Sequence, residues 1–345
     1  MGMRFVKVFA TAFALAMCAM APATAHAQDV QGPSAEVVQT ELRDIAAWSM
    51  SATQVVQQAF AILQTMPATP DDLTNRATRR AWIATARTWS AGARATVDAA
   101  RRNYAALPPP PAITFSADLA ASLKEQHRRM PAVIDGIAGY LDRYDAMFVA
   151  FERNDPKAMQ AFAVNSIDAI ILPIAHMRDI NDLTAATIGG AHPQSHLLSS
   201  VARSYDAMIS LTNLTKAGIE RGNPPLGFTV EEIDASVVAM RRHIASGRAA
   251  VVTMRQQMAM ARTSTPEEVA LIGQARRMIE TYPASFDREE KLAAAMDRIS
   301  RHLASPGRRY DLDDPVVESI YSEVVLLDDA RAADQMARQA TVASE

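Results

Sequence analysis

Apolar residues recur every three or four positions along most of this chain, and that spacing gathers them on one face of an α-helix. The first stripe runs from Val38 to Met66 and the second from Trp82 to Leu107, where the four prolines 108–111 end the helix. The alternation with a period of two that marks a half-buried strand is absent. The pattern therefore predicts an all-α protein.

Two further helices complete the first half of the chain. The third stripe runs from Leu119 to Phe151 across Pro131, where a missing amide hydrogen should bend the helix. Asp155 and Pro156 then open a fourth helix, which extends to about residue 188. Short connections place successive helices side by side and antiparallel, so these four segments predict an up-down bundle.

The second half follows the same order. It has a helix from about residue 194, a second over 233–258, a third that Pro283 should bend, and a fourth from about residue 315. A shift of the sequence by about 155 residues also places Gly92 opposite Gly247 and Arg87 opposite Arg242. The predicted fold is therefore two tandem up-down four-helix bundles from an internal duplication, over 28–188 and 194–345, with a linker at 189–193.

The first 27 residues have the pattern of a secretory signal peptide. Arg4 and Lys7 precede an apolar run over 8–20, and Ala25-His26-Ala27 supplies the small residues that signal peptidase accepts. We expect the mature chain to be periplasmic or secreted, and no later apolar run is long enough for a membrane span. Cys18, the only cysteine, lies in the removed segment, so disulfides and cysteine-ligated metals are not expected.

The charge of the chain argues against nucleic acid as a partner. There are 35 basic and 38 acidic residues, for a formal net charge of −3, and the arginine pairs are dispersed among acidic neighbours. Nucleic-acid binding requires a concentrated basic surface. The expected partner is instead an unknown envelope protein or a small molecule.

A mixed polar face on the fourth helix is the first candidate site. Asn165, Asp168 and His176 follow helical spacing beside the apolar stripe, and we treat them as candidate ligand-binding residues. Eight residues separate the carboxylate from the imidazole, a rise of about 12 Å, so a third element would be needed to bind one metal ion. The alternative is a partly exposed face on which the two halves pack.

His192 and His196 form the second candidate site, because two imidazoles at i and i+4 can converge on zinc or copper. Pro193 disfavours helix at His192, which places the pair at a boundary between loop and helix. On that interpretation His192 lies near the surface, and its replacement by alanine should change stability by only about 0.5 kcal/mol. No cofactor is expected.

The exported, all-helical layout of two bundles resembles that of the imelysin-like periplasmic proteins. Their motif of Gly, any residue, His, two residues and Glu would fall on Gly190 to Ser195, and Ser195 stands where the motif has glutamate. The resemblance covers the architecture and one Gly-x-His, so it implies neither an activity nor a metal site.

The expected function is that of an exported, non-catalytic helical module that binds or scaffolds components of the cell envelope. The alternative is a periplasmic protein that binds a metal ion or a small molecule. Trp89 lies on the second apolar stripe, and we expect it to anchor the core of the first bundle.

Overall fold

The structure is a computed structural model that describes residues 35–67, 75–153, 155–221, 230–261 and 266–305, with parts of 316–327. Every regular element in these residues is an α-helix, which confirms the predicted all-α class. The elements with defined bounds are α1 (Ala35–Gln64), α2 (Arg76–Ala105), α3 (Ala117–Arg153), α4 (Pro156–Ile188), α5 (Pro193–Arg221), α6 (Glu231–Met260), α7 (Pro266–Ile279) and α8 (Tyr282–Leu303). The predicted signal peptide and the predicted start of the last helix at Pro315 lie outside the described residues.

The ends of α4 show how the sequence sets the helix boundaries. The Asp155 carboxylate accepts the backbone amides of Lys157 and Ala158, at 3.1 Å each, and Pro156 occupies the first turn. These contacts satisfy amides that have no partner inside the helix. At the other end Gly189 has a φ of 84°, a conformation that favours glycine, and its amide donates to the carbonyl of Ala185.

Most of the described helices pack against the next helix along the chain. α1 packs on α2, α2 on α3, α3 on α4, α4 on α5, α5 on α6 and α6 on α8. Two ion pairs fix the antiparallel alignment of α4 on α5, since Lys216 near the end of α5 contacts Asp168 near the start of α4, while Arg203 contacts Asp182. In addition, α1 contacts α3 and α5 contacts α8.

One apolar core runs through most of the described helices. It contains buried side chains from α1 through α6 and from α8, and it extends to Ile320 and Val324 beyond the last defined helix. A smaller cluster of five buried side chains joins the middle of α6 to the end of α7 and the start of α8, and consists of Ile244, Val251, Ile279, Tyr282 and Phe286.

Three prolines lie within or at the start of helices, and one of them departs from the expected pattern. Pro131 lies inside a continuous α3, as expected, whereas the chain breaks between Ile279 and Tyr282 and Pro283 occupies the first turn of α8. The single bent helix expected around Pro283 is therefore two helices. Pro173 lies inside α4, and its ring packs beside Gly136 of α3, where an added Cβ would lie 3.3 Å from the proline Cδ.

Trp82, and not the expected Trp89, is the buried tryptophan of α2. Trp89 is half-buried at the edge of the core, and its Nε1 donates to Thr65 Oγ1 at 3.1 Å. Trp82 is only 5% exposed and contacts the rings of Phe148 and Phe151 edge-on, at centroid distances of 6.3 and 5.4 Å. Both positions lie on one helical stripe, so only the placement of α1 and α3 distinguishes them.

Candidate functional site

The three ligand-binding candidates on α4 lie at different heights and in different environments. Asn165 is exposed, and its backbone carbonyl accepts a hydrogen bond from Arg143 of α3. Asp168 is also exposed and forms an ion pair with Lys216 of α5 at 2.7 Å. His176 is half-buried two turns further along. The structure thus uses the first two of these groups in bonds between helices.

His192 is the N-cap of α5. Its Nδ1 accepts the backbone amide of Gln194 at 3.1 Å, and its ring meets Tyr282 of α8 edge-on at a centroid distance of 6.1 Å. The residue is only 6% exposed, and burial lowers the pKa of His192 to about 4. The expectation of a surface histidine is therefore wrong, because α8 covers the loop boundary.

His196 lies one helical turn later and forms a second side-chain hydrogen bond to the α4–α5 connection. Its Nε2 lies 2.8 Å from the carbonyl oxygen of Gly190. A carbonyl oxygen can only accept, so Nε2 carries the proton and donates it. Nearby, the Ser195 hydroxyl donates to the carbonyl of Ala185 at 2.8 Å. The predicted metal-binding pair is thus bonded to the α4–α5 turn.

The neighbour of His196 that the sequence did not indicate is His243 of α6. The two ring centroids lie 6.1 Å apart, and burial together with the charges of His196 and Arg203 lowers the pKa of His243. His176 is not part of this group. In the antiparallel pairing of α4 and α5 it lies opposite residue 208, which is about 18 Å along the axis from His196.

A row of ion pairs, here called the charged ribbon, crosses α3, α4 and α5. It links alternating arginines and carboxylates, from Glu125 and Arg129 of α3, through Asp179, Arg178 and Asp182 of α4, to Asp206 and Arg203 of α5. Hydrogen bonds from Arg128 and Arg129 lower the pKa of Glu125 to about 2. An exposed pair contributes little, but a network that spans three helices fixes their relative register.

A buried carboxyl group lies on α8 between the smaller apolar cluster and the main core. Glu289 of α8 is 1% exposed, and the hydroxyl of Ser200 on α5 donates to its Oε2 at 3.2 Å. Along α8, Tyr282 and Phe286 belong to the smaller cluster, while Leu292 belongs to the main core. Glu289 interrupts the apolar pattern of α8 at one position, and this is the only signal from which the sequence could have indicated it.

Two properties of the described residues bear on the proposed ligand classes. Their His, Cys, Asp and Glu side chains do not form a group of three or more that could hold a metal ion. Within the same residues, no helix contains an apolar stretch long enough to cross a bilayer. Metal binding by His192 and His196 stays a prediction.

Comparison with known proteins gave no relative: no family model, no curated protein and no solved structure matches this chain. The resemblance to the imelysin-like proteins consequently rests on the architecture and on Gly190-Ala191-His192 alone. At the position of the motif's glutamate, Ser195 is buried and its hydroxyl is bonded to the Ala185 carbonyl.

Proposed function

We propose that this protein is an exported, non-catalytic helical module that binds or scaffolds another component of the cell envelope. The observation that carries the proposal is the use of the candidate site residues in holding helices together. Asp168 pairs with Lys216 across α4 and α5, His192 caps α5, and His196 bonds to the Gly190 carbonyl. Each of these side chains has a structural partner, which favours a structural surface over a catalytic site.

The packing of the helices supports a rigid framework. The charged ribbon crosses three helices on the outside, while one apolar core joins α1 through α6 and α8 on the inside. A framework fixed on both sides presents its exposed helix faces in a constant arrangement, which suits a scaffold. Export rests on the signal-peptide pattern of residues 1–27.

The proposal includes the internal duplication. Its support is that α2 and α6 both have 30 residues, that α1, α2 and α3 are in mutual contact, and that α5, α6 and α8 are in mutual contact as well. The continuous α3 then corresponds to α7 and α8 together. A crystal structure of the whole chain tests this, and a different helix order in the two halves would refute it.

Site-specific photo-crosslinking in intact cells tests the binding role. On α6, Val238, Val252 and Met260 are 57, 51 and 73% exposed, so the first two are suitable positions for the crosslinker. Ala84, exposed on α2, is the matched control. We expect one envelope protein to crosslink from Val238 and Val252 and none from Ala84.

The opposite result favours the alternative function. If no protein crosslinks from α6 and the purified chain retains a stoichiometric metal ion or small molecule after dialysis, the protein is a ligand-binding one. Elemental analysis and mass spectrometry of the native protein distinguish these two ligands. Crosslinking of many proteins in proportion to their abundance would also contradict a specific binding role.

A further inference from the structure

Three methionines border the smaller apolar cluster of the second half. Met254 and Met258 are four residues apart on α6, so helical spacing places them on one face. Met278 lies in the last turn of α7. All three side chains are half-buried, and all three pack against the buried cluster at the start of α8. Thioether side chains from two helices therefore lie along one edge of this cluster.

Two contacts between α6 and the end of α7 set the axial position of Met278. Nη2 of Arg276 donates to the Met258 carbonyl at 3.3 Å, and Arg255 forms an ion pair with Glu280. The two segments are therefore antiparallel, and Met278 lies opposite a point midway between the two α6 methionines. Because a helix rises about 1.5 Å per residue, the axial offset to either one is only about 3 Å. The three side chains thus share one level of the fold.

The chemistry of these side chains differs from that of the histidine candidates. A thioether sulfur is neutral, soft and polarisable, and soft sulfur ligands select Cu(I). Zinc sites use thiolate, imidazole or carboxylate ligands instead. The chain has 18 methionines and a single cysteine, Cys18, which lies in the predicted signal peptide. Thioethers are therefore the soft ligands that the chain from Gln28 onwards offers to a metal ion.

We propose that Met254, Met258 and Met278 bind one Cu(I) ion through their three sulfur atoms. Three rotatable bonds let each methionine side chain move its sulfur without a change of the backbone. The half-buried position leaves these side chains open to an ion from solvent, while the apolar cluster covers their inner side. The exposed face of α6 that carries Val238 and Val252 is a different surface, so this site does not depend on the proposed binding role.

The charges around the three methionines allow a monovalent cation. Met258 lies in the last turn of α6, which contains no basic residue, and the helix dipole favours positive charge there. Of the two arginines at this level, Arg255 is paired with the carboxylate of Glu280. Arg276 is exposed, so solvent screens its charge. A bound cation therefore faces the negative end of one helix and arginines whose charges are paired or screened.

Calorimetric titration of the full chain with Ag(I), a soft monovalent ion that is stable in air, tests the site. The Cys18→Ser background removes the only thiol, and the buffer contains no chloride. We expect one Ag(I) ion per chain at pH 7.5 and also at pH 5.0, because thioethers do not take up a proton in this range. Excess Zn²⁺ should leave the affinity for Ag(I) unchanged. Cu(I), added without oxygen in competition with bicinchoninate, should bind with the same stoichiometry.

Leucine variants identify the ligands. Met258→Leu and Met278→Leu keep the side chain apolar and similar in volume, so the fold should persist, which circular dichroism checks. We expect each to lose stoichiometric binding. The matched control is Met260→Leu, because Met260 is 73% exposed and lies two residues after Met258, on another face of α6. It should bind one ion, as the parent chain does.

Methyl NMR of the Cys18→Ser chain, with ¹³C-labelled methionine, keeps the test independent of the folding of the leucine variants. The methyl resonances of Met254, Met258 and Met278 should shift when Ag(I) is added. That of Met240, which is fully buried in the main core, should not.

Three results would overturn the proposal. The first is that no ion binds to the Cys18→Ser chain. The second is that Met258→Leu and Met278→Leu bind as the parent chain does, or that the three methyl resonances do not move. The third is that Zn²⁺ displaces the ion or that pH 5.0 releases it, which would assign it to imidazole ligands such as His192 and His196.

Discussion

Gly247 of α6 offers the sharpest test of the packing in the second half of the protein. A Cβ atom added there would lie 2.1 Å from Cζ and 2.4 Å from Cε1 of Phe286, and 3.0 Å from Cβ of His196. Phe286 is fully buried, so its ring cannot move without displacing other core side chains. We therefore expect Gly247→Ala to destabilise the protein.

The magnitude is set by two opposing effects. Alanine is favoured over glycine in a helix interior by about 1 kcal/mol, while a methyl group forced into a packed core costs about 1–3 kcal/mol and sometimes more. At a contact of 2.1 Å the steric cost should reach the upper end of that range, about 3 kcal/mol, so the net loss after the helix gain is about 2 kcal/mol. The backbone is no obstacle, since the described glycine with a positive φ is Gly189.

Gly92 is the matched control, because it is also a mid-helix glycine and occupies the corresponding position of the proposed duplication. An added Cβ there has no atom within 4 Å. Gly92→Ala should accordingly stabilise the protein by about 0.5–1 kcal/mol. The same chemical change is thus expected to have opposite signs at the two positions.

Urea unfolding followed by far-ultraviolet circular dichroism measures both effects. In a double-mutant cycle, Gly247→Ala should cost less in the Phe286→Leu background than in the wild type, because leucine lacks the two ring atoms nearest the new methyl group. A Gly247→Ala protein as stable as the wild type would show that α6 and α8 are not packed at this distance. A purely additive double variant would assign the loss to another cause.

Three further predictions concern the first half. Trp82→Ala should lower the free energy of unfolding by about 3–5 kcal/mol and Trp89→Ala by clearly less, because only Trp82 is buried. Thermal melting measures both variants, and equal melting temperatures would contradict this. Asp155→Ala should cost about 1 kcal/mol in urea unfolding through loss of the α4 cap, and no change would mean that the cap is not formed. Asp168→Asn should lower the free energy of unfolding by less than about 1 kcal/mol in the same assay, because its ion pair with Lys216 is partly exposed to solvent. A larger loss would contradict this interpretation.

Local signals in the sequence were sufficient for most helix boundaries. The prolines after Leu107 end α2, Asp155 and Pro156 start α4, and Gly189 ends it, as expected. Each of these signals acts through the backbone of its own segment, by removing an amide donor, capping one, or allowing a positive φ. Such effects do not depend on what packs against the segment.

Signals that depend on distant residues could not be interpreted in this way. Pro173 is accommodated inside α4 because Gly136, 37 positions earlier, leaves space for its ring. Likewise, the burial of His192 requires Tyr282, which lies 90 positions later. A histidine beside a helical stripe indicates a surface ligand when only its neighbours in sequence are considered.

The α4–α5 turn shows why a histidine suits a buried connection between helices. The carbonyl of Ala185 accepts hydrogen bonds from the Gly189 amide and the Ser195 hydroxyl, and the His192 ring accepts one from the Gln194 amide. Neutral groups therefore satisfy these backbone groups at the ends of the two helices. A carboxylate cap would bring a charge into a site where burial disfavours it. A neutral imidazole avoids that cost, because burial lowers the pKa of His192 to about 4 and the ring is uncharged near pH 7.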